Sequence, residues 1–396
     1  MDPSTHVVII GGGVMGAATA SFLGARYGLR ATVLERDASY AKASSALSVC
    51  AIRQQFSTEI NIRISQQSLA FYRDIGQQLA VGPDRPSIGL VEPGYLYLAT
   101  EAGAHVLEEN QALQARCGAA VALLSPSDLA QRFPWLSLEQ IALGSLGLST
   151  ATSGEGWFDG YSALQAFRQH AIAQSARFVE AEAVDFDVRD GAVQSVITSA
   201  GDRIAADAVL IAAGAWSSPI AAMLGFDLPV RARKRDVFSL QASGPLPGCP
   251  LVIDPSGFWF RSDGDTGQFL CGSPPRGADL DNVPLDQVDR GLFDEWLWPR
   301  LAERVPQFDE LRVTGSWAGY YEYNTFDQNG LVGRLPGTDN VFVAAGFSGH
   351  GLQQAPAVGL GMAEVIATGG YQSLDLSPLH VERLLNNAPL LERNII

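Results

Sequence analysis

The run HVVIIGGGVMGAATASFLGARYG, residues 6–28, constrains this chain more than any other stretch. A short β-branched segment stops at three glycines, and small and apolar residues follow at helical spacing, which predicts strand, tight turn and helix. Gly11, Gly13 and Gly16 form G-x-G-x-x-G across that turn. The first glycine makes the turn, the second lets a pyrophosphate approach the main chain, and the third lets the helix pack closely on the strand. Val14 and Met15 open the helix, whose unpaired amides and partial positive charge suit a diphosphate. A second strand is predicted over RATVLERD. Glu35 at its end has the spacing, about 20 residues on, of a carboxylate that holds ribose hydroxyls, and Arg36 follows it. Residues 6–25 carry no Lys, Arg, Asp or Glu and approach the roughly 20 residues of a membrane span, but glycines interrupt them and MDPST ahead has no positive charge. Neither a transmembrane segment nor a signal peptide is expected.

Two later segments repeat the texture. RIAADAVLIAAGAWSSPIAAMLG, 203–225, reads as an apolar strand running into Ala213, Gly214 and Trp216 and then a helix. VFVAAGFSGHGLQQ, 341–354, reads as a buried strand ending at Gly346, Ser348, Gly349, His350, Gly351 and Leu352. A helix is predicted from about Gln353, with Pro356 in its first turn, where no amide hydrogen bond is lost. The first motif alone does not separate NAD from FAD. Three glycine-bared strand ends meeting one ligand imply a long cofactor lying across the domain, and FAD fits. The last helix would then present its positive end to a flavin ring, which carries negative charge when reduced.

This pattern predicts an α/β chain: a Rossmann-like FAD-binding domain assembled from 1–82, 152–226 and 326–396. A second α+β substrate domain with a mainly antiparallel sheet is expected from 83–151 and 227–325, with ligand between the two. Residues 44–80 read as helical, with Ile60, Ile64, Leu69 and Tyr72 facing inward, and GFWFRSDGDTGQFLCGS reads as a hairpin. Glycine supports close backbone approaches: there are 41 among 396 residues, above the roughly 7% of average usage.

With 42 acidic against 27 basic residues the net charge is −15, which argues against a nucleic-acid partner. RARKR, 231–235, is the local exception. Arg231, Arg233 and Arg235 fall on one strand face, either as a solvated edge or with one of them towards the flavin or an electron acceptor. Cys50, Cys117, Cys249 and Cys271 have neither metal nor disulfide-framework spacing. No metal is expected, and a reducing compartment fits: a cytoplasmic protein, or one peripheral to a membrane. Of five histidines only His350 falls in a candidate site, and the others read as solvated.

At GGGVMG, LERD, SSALSVCAIRQQF, IAAGAW, WAGYYEYNTFDQNG and GFSGHGLQQAP the chain resembles the D-amino-acid oxidase-like flavoproteins, which include sarcosine oxidases, glycine oxidase and dimethylglycine dehydrogenase. The likeness spans essentially the whole chain, and the terminal NII is similar to a mitochondrial branch tied to respiratory complex I assembly. The resemblance implies that Ser44, Ser45 and Ser48 approach the diphosphate and ribityl chain, with Val184 among the cofactor contacts. Arg53 matches the arginine that clamps a substrate carboxylate, for which a guanidinium fork is suited. Tyr321 stands where sarcosine oxidases carry the cysteine that binds flavin covalently, so FAD here would be non-covalent. Tyr323 matches a substrate-pocket tyrosine, and His350 would contact flavin or substrate. Gln353 replaces a carboxylate-binding lysine. Leu270 takes the place of the oxygen-activating lysine, with Arg276 nearby as a stand-in.

Each of these residues also has a plainer reading: helix-capping serines, a surface arginine, core tyrosines, a structural histidine. The expected function is oxidation of the C–N bond of a secondary, N-methylated or D-amino acid by hydride transfer to flavin N5, as a dehydrogenase rather than an oxidase. The electron acceptor stays open between a quinone, an electron-transfer flavoprotein and oxygen. Two alternatives stand beside it: an FAD-binding assembly protein with vestigial catalysis, and a 2-hydroxy-acid dehydrogenase using His350 as base.

Overall fold

The structure is a computed structural model that describes residues 5–393; the expectations attached to the first four residues and to the terminal NII lie outside them. His6–Ile10 forms the central strand because its side chains can be buried on both faces: Val7 and Ile9 face one layer, Val8 and Ile10 the other. It pairs in parallel with Arg30–Glu35 on one side and Ala208–Ile211 on the other. The full sheet runs 331–334, 341–345, 208–211, 6–10, 30–35, 177–180, parallel except at the antiparallel edge strand Leu331–Arg334. Strands far apart in sequence therefore end side by side at Gly11, Ala212 and Gly346.

On one face, helix Val14–Tyr27 packs against helix Gly351–Thr368. The approach is close: a Cβ on Gly359 would sit 2.7 Å from that of Ala18. Helix Glu59–Arg73 joins this layer through Ile60, Ile64, Leu69 and Tyr72, all buried as the sequence predicts. The opposite face is covered by an antiparallel meander, Ala183–Arg189, Ala192–Thr198 and Arg203–Ala205. The strand expected from 203 onward is thus two elements, with Arg203–Ala205 in the meander and only Ala208–Ile211 in the main sheet.

A second sheet runs 312–324, 230–241, 268–272, 259–262, 251–253, 95–99, 143–147, 121–124. It is antiparallel except where Leu251–Ile253 meets Tyr95–Ala99, the seam at which two separate chain segments join. The hairpin expected at 257–273 is present, Trp259–Ser262 against Gln268–Gly272. RARKR pairs with a strand on one side only, at 319–323, but the 279–282 segment covers its other side through the Arg233–Asp281 bridge, so the solvated-edge reading of Arg231, Arg233 and Arg235 is corrected: Arg233 and Arg235 share Asp279, and Arg231 and Arg233 reach Asp281.

Two further expectations change. His170 is buried, with Nδ1 2.8 Å from Ser21 Oγ, so it is a packed helix residue and not a solvated one. The last helix begins at Gly351, which places Pro356 beyond the first turn and deprives the Leu352 carbonyl of its helical donor. The Tyr72 hydroxyl donates to that carbonyl at 2.6 Å instead. Among the described residues no helix is long and apolar enough to cross a membrane, and no group of His, Cys, Asp and Glu is arranged to hold a metal. The four cysteines are free and buried.

Candidate active site: a cleft at the strand ends

The strand ends open into a cleft of about 720 Å³, within the range of about 300–1,000 Å³ usual for ligand sites, that runs between the two sheets. At its mouth Gly11 has φ +104°, and a Cβ there would lie 2.3 Å from the Ala212 carbonyl oxygen. A Cβ on Gly16 would lie 2.0 Å from the Gly11 carbonyl oxygen, so this glycine sets helix-to-strand packing and does not line the cleft. Gly13 alone of the three faces open space, its nearest neighbour being Ser45 Oγ at 3.5 Å. Val14 and Met15 line the cleft beside it, and the Val14 amide donates to Ser45 Oγ at 3.1 Å. Ser44 donates to the Tyr320 carbonyl, and Ser48 Oγ accepts from the Cys50 amide. Both still border the cleft.

At the outer end, Glu35 accepts from the amides of Gly12 and Asp37. The Arg36 guanidinium lies 4.0 Å from the Trp216 ring centre, and Ala213 and Gly214 continue the wall. Val184 does not reach the site: it points to solvent, while Ala183, one residue earlier and on the opposite strand face, lines the cleft.

The inner end holds a buried cluster. Arg53 is 2% exposed; its amide donates to Gln353 Oε1 at 2.8 Å, and its Nη2 donates to His350 Nε2 at 2.9 Å. The guanidinium stacks 4.4 Å from the Phe56 ring centre, and Tyr97 lies 5.6 Å away. Burial, and then the neighbouring Arg53 charge, hold His350 well below its ordinary pKa, so the ring is neutral and its Nε2 lone pair is engaged by arginine. Gly349, His350, Gly351, Leu352 and Gln353 all line the cleft, and the amides opening the 18-residue final helix face it. Tyr321 lines it too, its ring packed so closely that a Cβ on Gly349 would lie 2.7 Å away.

Three further candidate residues stand outside. Tyr323 lies under Arg233, 4.6 Å from its ring centre, and does not line the cleft. Gly346 and Ser348 sit behind the wall, where Ser348 Oγ accepts from the Asn324 amide. Of the two positions weighed for an oxygen-activating cation, Leu270 is buried across from Arg261 and off the cleft, and Arg276 is exposed.

Two carboxyls escaped the sequence reading. Glu322 lines the cleft and accepts from the Gly346 amide at 3.0 Å; burial raises its pKa to about 7 against the pull of the Gly346 and Phe347 amides. Glu155 accepts from the amides of Gln54 and Gln55 and from the Gln55 side chain, fixing the segment next to Arg53. Burial raises it to about 7 as well, opposed by those hydrogen bonds and by Arg53. Strand alternation around YYEY offered a signal for Glu322. Nothing local marks Glu155, whose partners lie about a hundred positions away in sequence.

The cleft suits a dinucleotide with a planar ring: an acid for ribose at one end, bare glycine and helix amides in the middle, and an aromatic-lined basic pocket at the other. A profile of the family described as FAD dependent oxidoreductase, DAO, matches residues 6–365. The chain belongs to the DAO family of FAD-dependent oxidoreductases. It is 41% identical over 428 aligned residues to FAD-dependent oxidoreductase domain-containing protein 1 of Xenopus laevis, covering 98% of this chain and 84% of that protein. It is 28% identical to glycine oxidase of Geobacillus kaustophilus, over 95% and 96% of the two chains. Among solved structures, L-proline dehydrogenase from P. horikoshii superposes with a TM-score of 0.85 at 25% identity, over 98% of this chain and 100% of that one. Glycine oxidase from G. kaustophilus gives 0.80 at 25% identity, over 96% and 99%. As a DAO-family oxidoreductase the chain is a flavoprotein, and FAD is its cofactor.

Proposed function

We propose that this DAO-family enzyme oxidises the C–N bond of a secondary, N-methylated or D-amino acid, with non-covalently held FAD as hydride acceptor and a dehydrogenase rather than an oxidase habit. The observation that carries the reading is the Arg53–His350–Gln353 cluster at the inner end of the cleft. A guanidinium fixed by a backbone tether and a neutral imidazole, against Phe56, is a preorganised seat for a carboxylate. Tyr95 and Tyr321 add aromatic walls to the cleft.

Bound FAD supplies the two-electron chemistry. The residues' part is positioning: Arg53 holds the carboxylate, and the substrate's C–H bond is thereby directed across the cleft. No base is required beyond loss of the amine proton to solvent. That counts against the 2-hydroxy-acid reading, which would need a free imidazole where His350 is engaged by Arg53. The names of relatives acting on glycine, L-proline and iminodiacetate support an amino-acid substrate.

The test is anaerobic bleaching of the flavin by sarcosine, dimethylglycine, proline, glycine and D-amino acids. Bleaching by at least one, slowed roughly 10- to 150-fold in Arg53→Lys, is expected. If none bleaches a flavin that dithionite readily reduces, the amino-acid reading falls and the assembly reading gains. Glu35 to Trp216 at the outer end, and Ser44, Ser45 and Ser48 between, are the proposed cofactor contacts.

A further inference from the structure

Arg53 lies against one surface of the second sheet, 6.0 Å from the Tyr95 ring centre and 5.6 Å from that of Tyr97. Two positions apart on one strand, those tyrosines share a face. Strand pairing sets Leu251 beside Tyr95 and Ile253 beside Tyr97, and all four pack in one buried cluster. Ile253 is in turn opposite Trp259, and Trp259 is opposite Gly272, which is paired on its other side with Val237. A Cβ on Gly272 would lie 2.8 Å from Trp259 Cζ2, so the bare glycine leaves room for the indole. Tyr95, Leu251, Ile253, Trp259 and Val237 all line the cleft.

The ionic groups bordering this surface are already paired. Arg235, two residues before Val237, donates from both Nη atoms to Asp279, and Asp236 pairs with Lys234. A charged substituent laid against Leu251, Ile253 and Trp259 would lose its water and find no counter-charge there. An apolar one would gain by burial. The substrate's amine needs a hydrogen-bond partner and is disfavoured against the same wall. The side chain on the α carbon, one bond from the carboxylate held by Arg53, is the group left to meet it.

We propose that the substrate of this site is an amino acid with an apolar side chain, seated between Arg53 and the surface formed by Tyr95, Leu251, Ile253 and Trp259. The inference rests on the amino-acid reading above and narrows it: glycine, sarcosine and acidic amino acids become poor substrates.

Carboxylates without an amine report this compartment without turnover. The flavin-loaded protein is titrated with acetate, 4-methylpentanoate and succinate, read by calorimetry and by flavin absorbance. The three compare a bare carboxylate, one with an isopropyl end, and one in which a second carboxylate replaces that end. 4-Methylpentanoate should bind roughly tenfold or more tightly than either of the others. Ile253→Ala and Trp259→Ala should each bring its advantage over acetate several-fold closer to none; if Ile253→Ala does not fold, the half-buried Trp259 decides. In anaerobic bleaching, D-leucine or N-methylleucine should outpace sarcosine and D-aspartate. Equal affinity for the three carboxylates, a preference untouched by both substitutions, or bleaching by glycine and sarcosine alone would each overturn the proposal while leaving amino-acid oxidation standing. Failure of every carboxylate to bind, or binding indifferent to Arg53→Lys, would remove the carboxylate seat and this inference with it. A preserved preference for 4-methylpentanoate in a protein that no amino acid bleaches would keep the apolar compartment while removing amino-acid oxidation.

Discussion

Arg53 and His350, distant in sequence, meet at 2.9 Å in the protein interior, and the contact makes each the other's constraint. Burial first, and the adjacent guanidinium second, hold the imidazole neutral; the imidazole lone pair fixes the guanidinium's orientation. Replacing Arg53 by Lys keeps the charge but loses the fork. Loss of one charge-assisted hydrogen bond, about 1.5–3 kcal/mol, should lower kcat/KM by roughly 10- to 150-fold with flavin content unchanged. Steady-state kinetics with whichever amino acid bleaches the flavin would check this.

Pro356 and Tyr72 make a second pair whose coupling can be measured. Tyr72→Phe leaves the Leu352 carbonyl without its 2.6 Å donor and should cost about 1–3 kcal/mol in urea unfolding. Pro356→Ala restores an amide four residues after that carbonyl, so in the Pro356→Ala background the same tyrosine change should cost much less. Equal costs in both backgrounds would show that the hydroxyl does not stand in for the missing amide.

The three motif glycines should separate by experiment. Gly16→Ala forces a Cβ to 2.0 Å from backbone and should lower the melting temperature steeply or prevent folding. Gly13→Ala meets only Ser45 Oγ at 3.5 Å and should fold near normally, yet bind FAD more weakly because the cofactor needs that space. Flavin titration of the apoprotein, alongside thermal melts, distinguishes the two.

Glu322 titrates at about 7 in the folded protein, above the ordinary 4.5. Its folded state binds a proton more tightly than the unfolded chain, so this contribution to stability is complete below about pH 4.5 and is lost as pH rises through about 7. Glu155, also raised to about 7, acts in the same direction. Melting temperatures of the apoprotein should fall from pH 5 to pH 8, and Glu322→Gln should flatten that fall. An identical slope in the variant would remove Glu322 as its source.

Much of the cofactor cleft was legible because its signals are local. A β-branched run, glycines at fixed offsets and a following helix are set by dihedral preferences within a few residues, so the turn at Gly11 and the close packing at Gly16 could be read directly. Val184 and Tyr323 went wrong for a different reason. Both lie on strands, where a shift of one residue reverses the face presented, and register is decided by partner strands. Glu155 and Glu322 stayed hidden since a carboxylate's meaning depends on which distant amides it meets, and Pro356 was misplaced because the helix begins two residues before the expected Gln353.

By itself the sequence carried the fold class and the glycine turn, because close backbone approach and hydrophobic periodicity are written in adjacent residues, and three separated glycine-bared strand ends pointed to FAD. Only the tertiary structure decided which side chains share the inner pocket and which carboxyls hold their protons near neutrality. Those outcomes arise from packing and desolvation between segments far apart in the chain, where burial and through-space charge set the energy.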